Sequence, residues 1–320
     1  MKILFITSSR IGDAVLSSGL LHYIEKTYPS AKVTIACGPL AVSLFQGYPL
    51  LEAIIPLKKE KRNGHWIKLW KQVVGTRWDM VIDLRDSAVS RLIFSREKHI
   101  FSRHIDKAQH KVRQNADVMG LADVPAPKMW FTKDQMTGAQ KVIASGDAIL
   151  AVGPTANWAG KTWPAERFIE IIEFMTAKGG FMENARVAVF GAPGEEEDAQ
   201  RVLSSVAVDR RIDCIAKGSP GAAAAMIARC DFYIGNDSGL MHCAAAAGVP
   251  TLGVFGPSYP HIYAPYGEHT SYVRTPESFD ELIDYEGYSA KTCGCLMGTL
   301  SVDMVKAELS DRFTEKIKAA

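Results

Sequence analysis

Short apolar runs alternate with segments of helical period along the whole chain. Lys2 to Thr7 (KILFIT) reads as a buried strand, and Ser8 to Gly12 as the loop that follows it. From Asp13 to Tyr28 the residues Val15, Leu16, Leu20, Leu21 and Ile24 recur on one face, which predicts an amphipathic helix. Lys32 to Ala36, Leu51 to Leu57 and Asp79 to Leu84 predict further strands, with a helix from His65 to Val74 among the intervening segments. A second series begins at Ile149 to Gly153 and continues through Val187 to Phe190, Ile212 to Ile215, Phe232 to Ile234 and Thr251 to Phe255. Pro164 opens one of its helices, running to Ala177, and Gly179-Gly180 ends it. Ser301 to Lys318 predicts a terminal amphipathic helix.

Strands that alternate with helices in this way predict doubly wound parallel sheets. Two series predict two Rossmann-like domains, residues 1–140 and 148–300, divided in the polar stretch 133–147 around Gly138 and Gly146. Residues 301–320 are expected as a terminal helix that could pack back on the first domain. Ligands of such domains bind at the C-terminal ends of the strands, so a facing cleft is the expected site.

The stretch Asp231 to Pro250 (DFYIGNDSGLMHCAAAAGVP) concentrates the chemistry. An apolar strand ends in Gly235-Asn236, Asp237 or Ser238 can cap the next helix, and Gly239 permits close approach to the backbone. Leu240 to Ala247 is a compact helix of small residues stopped by Gly248 and Pro250. Free N–H groups at such a helix start favour a phosphate, although a plain capped βα unit would read the same way.

Composition narrows the class. Of 320 residues 47% are hydrophobic and 22% charged, as in a soluble globular protein, and no apolar run approaches the ~18 residues of a membrane span. The first residues read as a strand and not as a signal peptide. The six cysteines form no disulfide framework, which points to a reducing, cytoplasmic setting. The net charge of +2 hides an asymmetry, because residues 1–140 hold 21 Lys/Arg against 12 Asp/Glu. A basic first half suits a phosphorylated or carboxylated acceptor, or an acidic membrane surface. Nucleic acid is disfavoured, since no aromatic platform is interleaved with the basic residues. Cys293-Gly294-Cys295 is a single C-x-C and weak evidence for a metal or redox site.

Asp237-Ser238-Gly239-Leu240-Met241-His242, followed by Ala244-Ala245-Ala246, Gly248, Pro250 and Phe255-Gly256-Pro257, resembles the signature of glycosyltransferase family 9. That family contains the ADP-heptose:lipopolysaccharide heptosyltransferases, and its fold is GT-B, two Rossmann-like domains facing a cleft. The resemblance runs from Gly12-Asp13 to the Leu300-Ser301-Val302 segment, and it marks Cys293 and Cys295 as structural. It implies an inverting, metal-independent transfer of heptose from ADP-heptose to the anionic inner core of lipopolysaccharide, with no cofactor. A cytoplasmic enzyme is implied, with peripheral contact at the inner membrane.

Residue roles follow from the same likeness. Asp13 is by itself an acid favoured at a helix start; within Ile11-Gly12-Asp13 it matches the family's catalytic base. Lys161 in Lys161-Thr162-Trp163-Pro164 matches the lysine that contacts the diphosphate, with Thr155 and Asn157 in the same loop. Glu195 in Gly191-Ala192-Pro193-Gly194-Glu195 matches the ribose contact, and Gly218 falls in the adenine-side loop where a larger residue is commoner. Asp237, Ser238, Gly239 and Leu240 form the phosphate loop. His242, which alone reads as a core histidine, is placed beside the phosphates. Ser18-Gly19 departs from the family's Thr-Pro pair. From the basic first half, and not from the likeness, Arg85, Arg91 and Arg103 are the expected acceptor contacts; with Arg96 they follow the strand Asp79 to Leu84, so several of the four are expected near the C-terminal end of that sheet. A nucleotide-sugar epimerase on the same fold and a non-catalytic sugar-nucleotide binder remain alternatives. A nicotinamide oxidoreductase is disfavoured by the absence of G-x-G-x-x-G after the first strand.

Overall fold

The computed structural model describes residues 1–317. The chain divides into two compact units, Met1–Met136 with Ser219–Ala222, and Thr137–Gly218 with Ala223 onward. In the first, strands β1 (Lys2–Ile6), β2 (Lys32–Cys37), β3 (Leu51–Pro56), β4 (Trp78–Asp83) and β5 (Ser95–Ile100) pair in parallel in the order β3-β2-β1-β4-β5. In the second, β6 (Ile149–Gly153), β7 (Arg186–Gly191), β8 (Arg211–Ile215), β9 (Phe232–Asn236), β10 (Thr251–Phe255) and β11 (Thr270–Arg274) pair in parallel in the order β11-β10-β9-β6-β7-β8. Both orders are doubly wound, so each sheet has one point where successive connections part to opposite sides. These switch points lie between β1 and β4, and between β6 and β9.

The central strands are closed to water on both faces, as parallel sheets require. Ile3, Leu4, Phe5 and Ile6 of β1 are fully buried, and so are Phe232, Tyr233 and Ile234 of β9. Two strands were not predicted, β5 (SREKHI) and β11 (TSYVR). Both lie at sheet edges, where side chains face water and the apolar run that marks a central strand is not needed. The polar stretch 133–147 carries a helix, Lys133–Val142, whose Ala139 is buried.

The first helix, Ile11–Thr27, buries Ala14 to Leu21 and Ile24. A side chain at Gly19 would meet the Pro125 carbonyl oxygen at 2.2 Å, and the Ser18 hydroxyl accepts from the Lys128 amide at 2.9 Å. The Ser18-Gly19 departure is therefore the seat of the loop around Pro125–Lys128. The described part of the terminal helix, Val302–Ile317, packs within the second domain. Val305, Leu309 and Phe313 belong to the second domain's core, and the Phe313 ring meets Phe232 edge-on at 4.9 Å. The expected end of this helix, Lys318, lies outside the described residues. Among those residues no helix is long and apolar enough to cross a membrane.

Candidate functional site

Both switch points carry clustered polar residues. In the first domain the loop after β1 leads into the helix Ile11–Thr27, whose first turn presents Asp13. The Ser8 hydroxyl donates to Asp13 Oδ2 at 3.3 Å and accepts from Arg10 N at 3.2 Å. Arg85, in the loop after β4, donates from Nη1 to Ser8 Oγ at 3.4 Å. That loop is fixed by Asp83, fully buried, whose carboxylate accepts from the amides of Arg85 (2.8 Å) and Ser87 (2.9 Å) and from the Ser87 hydroxyl (2.6 Å).

A residue not foreseen in the sequence joins this cluster. Lys111 begins the helix Lys111–Val118, half-buried, with Nζ 3.1 Å from Gln114 Oε1 and 4.8 Å from the centre of the Phe101 ring. Burial lowers its pKa, Lys107 and Arg85 push in the same direction, and the nearby Asp13 carboxylate opposes them. Asp13 thus lies in the field of two cations, Lys111 and Arg85. The sequence signal was only a lysine following the helix-capping His110, which is common on surfaces.

The other arginines divide. Arg91 is turned to Asp86 in an exposed ion pair and donates to the Ser87 carbonyl at 3.0 Å. Arg103 is exposed in the turn after β5. Arg96 is not among those at the C-terminal end of the sheet. It stands at the start of β5 and pairs with Asp79 at 3.3 Å, at the N-terminal end of the sheet and away from Asp13.

In the second domain the loops after β6 and β9 meet at the switch point. Lys161 Nζ lies 2.5 Å from Asp237 Oδ2, and His242 Nε2 lies 4.0 Å from Asp237 Oδ1. Asp237 is 8% exposed and His242 4%, so one buried carboxylate pairs with the lysine and lies beside the imidazole. Asp237 is therefore no helix cap. Ser238 occupies the N-cap position with extended backbone and no side-chain cap bond, and the helix is Gly239–Ala246. Its first-turn amides at Gly239 and Leu240 face the dipole's positive end.

Asn236, buried at the end of β9, is a second residue that sequence reading passed over. It donates from Nδ2 to the Pro154 carbonyl at 2.7 Å and accepts from Trp163 N at 3.0 Å. One side chain so ties both ends of the loop bearing Lys161. The fully buried Trp163 is anchored in turn through Nε1 to the Leu300 carbonyl at 2.9 Å. Gly153 and Gly235 have no room for a side chain, since a Cβ on either would lie 2.1 or 2.6 Å from the buried Tyr233 hydroxyl.

Glu195 immediately precedes the helix Glu196–Ser205 and accepts from the Thr155 hydroxyl at 2.6 Å and Ala192 N at 3.3 Å. Thr155 and Glu195 thus form one unit, while Asn157 is exposed in the same loop as Thr155. Gly218 has φ +85°, following Ala216 at φ +51°. That left-handed turn explains glycine where a larger residue was expected. Cys293 and Cys295 are free thiols near the surface.

The family profile for glycosyltransferase family 9 (heptosyltransferase) matches residues 66–284, more than half of the sequence. The chain belongs to glycosyltransferase family 9. This family 9 chain is 25% identical over 317 residues to lipopolysaccharide heptosyltransferase 2 of Salmonella typhimurium, covering 86% of this chain and 88% of that protein. It is 23% identical to lipopolysaccharide heptosyltransferase 1 of Escherichia coli K12, over 86% and 94% of the two chains. Among solved structures it is similar to a family 9 glycosyltransferase from Veillonella parvula, with a TM-score of 0.79 at 22% identity over 98% of each chain. The E. coli heptosyltransferase WaaC with ADP matches with a TM-score of 0.73 at 20% identity, over 98% of this chain and all of that one. The fold class is GT-B, two Rossmann-like parallel-sheet domains in one chain.

Proposed function

We propose that this enzyme transfers heptose from ADP-heptose to the inner core of lipopolysaccharide with inversion at the anomeric carbon. The observation that carries the reading is the Lys161–Asp237–His242 cluster at the second domain's switch point, beside the amide-rich start of the helix Gly239–Ala246. A rigid cation next to free backbone donors suits a diphosphate that gains charge as it leaves. The similar Salmonella and E. coli proteins are lipopolysaccharide heptosyltransferases by name, which supports the sugar and the acceptor.

The second domain is assigned the nucleotide sugar and the first the acceptor. Glu195 would accept the ribose hydroxyls, oriented by Thr155, with the Gly218 turn beside the adenine and Asn157 at the loop's outer edge. The acceptor hydroxyl attacks the anomeric carbon, its proton passes to Asp13, and the bond to the ADP oxygen breaks with its electron pair leaving on ADP. Lys161 and the amides of Ser238, Gly239 and Leu240 carry the charge that develops there. Arg85 and Lys111 would meet the acceptor's carboxylates or phosphates, since both already flank Asp13. Arg91 and Arg103 are weaker contacts on this geometry. The reaction is placed in the cytoplasm, at the inner-membrane face where such an acceptor is anchored.

ADP release measured with ADP-heptose, with and without lipopolysaccharide truncated at the inner core, tests the reading. ADP formed only when acceptor is present supports it. Release without acceptor, or epimerised donor, refutes it.

A further inference from the structure

The helix Gly64–Val73 presents a second surface, unrelated to either switch point. Leu69 and Val73 are buried, and Trp66 and Trp70 lie partly buried against the same core as Val89 and Ile93. The Trp70 indole donates to the Leu92 carbonyl at 3.4 Å, which fastens this helix to the turn between the helix Ala88–Leu92 and β5. Helical geometry places Ile67 and Val74 next to Trp70, on the flank that faces that turn. Ile67 is 57% exposed, Leu92 67% and Phe94 61%, and Val74 adds a further exposed side chain. Four of the six large exposed apolar side chains of the first domain gather here, the other two being Met1 and Leu40.

The segment that carries this helix is also basic. From Lys58 to Arg77 the chain carries Lys58, Lys59, Lys61, Arg62, Lys68, Lys71 and Arg77 against a single acid, Glu60, which pairs with Lys68 at 2.5 Å. The nearby Asp86 and Asp79 are taken up by Arg91 and Arg96. Aliphatic and aromatic tips beside exposed lysines match a boundary of acyl chains and anionic headgroups. We propose that the face formed by the helix Gly64–Val73 and the Leu92–Phe94 turn docks the first domain on an anionic lipid bilayer. The insertion is shallow, with Ile67, Leu92 and Phe94 at acyl depth and Lys68 and Lys71 at the headgroups. The inference concerns where the reaction takes place and not its chemistry, so its test reads separately from transfer.

The experiment is co-sedimentation of the purified full chain with vesicles of phosphatidylcholine and phosphatidylglycerol, and with phosphatidylcholine alone. Binding to the anionic vesicles, weakened by high salt, is expected. Lys68→Glu with Lys71→Glu should lower the partition coefficient at least ~10-fold, and Leu92→Ser with Phe94→Ser should lower it comparably. Val208→Ser, at an exposed apolar position in the second domain, should leave it unchanged. Circular dichroism checks that each variant is folded, and the lysine pair keeps the test decisive if the apolar pair is not. ADP release with a delipidated, soluble acceptor should be unaltered in both double variants. Wild-type chain that ignores anionic vesicles, or double variants that bind as well as wild type, would overturn the proposal. So would a dimer dispersed by Leu92→Ser with Phe94→Ser in the absence of vesicle binding, which would assign the face to a second copy of the chain.

Discussion

Removing the Lys161 ammonium should do two things that can be separated. Its Nζ lies 2.5 Å from the carboxylate of Asp237, which is 8% exposed, while the lysine side chain is 24% exposed. At that distance and an effective dielectric constant of about 20, the attraction is ~6–7 kcal/mol before desolvation is counted. Breaking a buried pair leaves an uncompensated charge and costs ~3–5 kcal/mol; the partial exposure of Lys161 lowers this to ~2–3 kcal/mol. For a domain of this size that is a fall in Tm of ~4–12 °C. Lys161→Ala should also lose a charge-assisted hydrogen bond to the diphosphate, weakening ADP by ~10–150-fold. Adding Asp237→Asn then distinguishes the effects. The double variant has no unpaired charge, so most of the lost Tm should return, while ADP affinity should stay low because the cation is still missing. Thermal melts and ADP calorimetry on the wild type, both single variants and the double variant give the full cycle. If the double variant regains ADP affinity along with Tm, or if Lys161→Ala binds ADP normally, Lys161 is a structural ion-pair partner and no phosphate ligand.

Glu195→Gln should weaken ADP by roughly ten-fold and 2′-deoxy-ADP far less, since the carboxylate's second ribose contact is absent there in both proteins; calorimetry with the two nucleotides decides it. Arg85→Ala and Lys111→Ala should each raise the acceptor KM several-fold and leave the donor KM unchanged, whereas Arg91→Ala, removing an exposed pair with Asp86, should be nearly silent. Burial pushes the thiols of Cys37, Cys214 and Cys243 up to about 12 and Cys230 well above its ordinary value. Native protein near pH 8 should therefore show two fast-reacting thiols, Cys293 and Cys295, with all six reacting only in denaturant. Because the unfolded thiols ionise near pH ~8.5 while the buried ones hold their protons, stability should fall as pH rises from about 9 towards 12. A pH series of chemical melts checks the sign.

Much of the frame was legible because buried parallel strands leave a simple trace. β6 and β10 have the predicted bounds, and β1, β2, β4 and β9 lie within two residues of theirs. β5 and β11 were missed because an edge strand has one paired side and little burial, so SREKHI shows no apolar run. The loop proposed to hold the phosphates was visible as Gly-Asn-Asp-Ser-Gly after an apolar strand, yet its wiring was not. Of the two cap candidates Ser238 takes the N-cap position, and Asp237 is the buried anchor of Lys161 from 76 positions earlier. Asn236 binds Pro154 and Trp163 across a comparable separation. Pairings of that kind depend on strand order, which local pattern does not encode. Lys111 was missed for the same reason, since only the packing of the helix Lys111–Val118 brings it into the field of Asp13.

A base in the first domain and a diphosphate site in the second are proposed to serve one transfer. Asp13→Asn keeps the shape and the acceptance of the Ser8 hydrogen bond but removes the proton-accepting charge. The direct measurement is single-turnover ADP release by this variant with saturating ADP-heptose and acceptor, alongside its Kd for ADP. An unchanged Kd and a rate lower by ~10²–10⁴ are expected. A variant that keeps more than about a tenth of the wild-type rate, or one that loses ADP affinity in step with rate, would contradict the proposal.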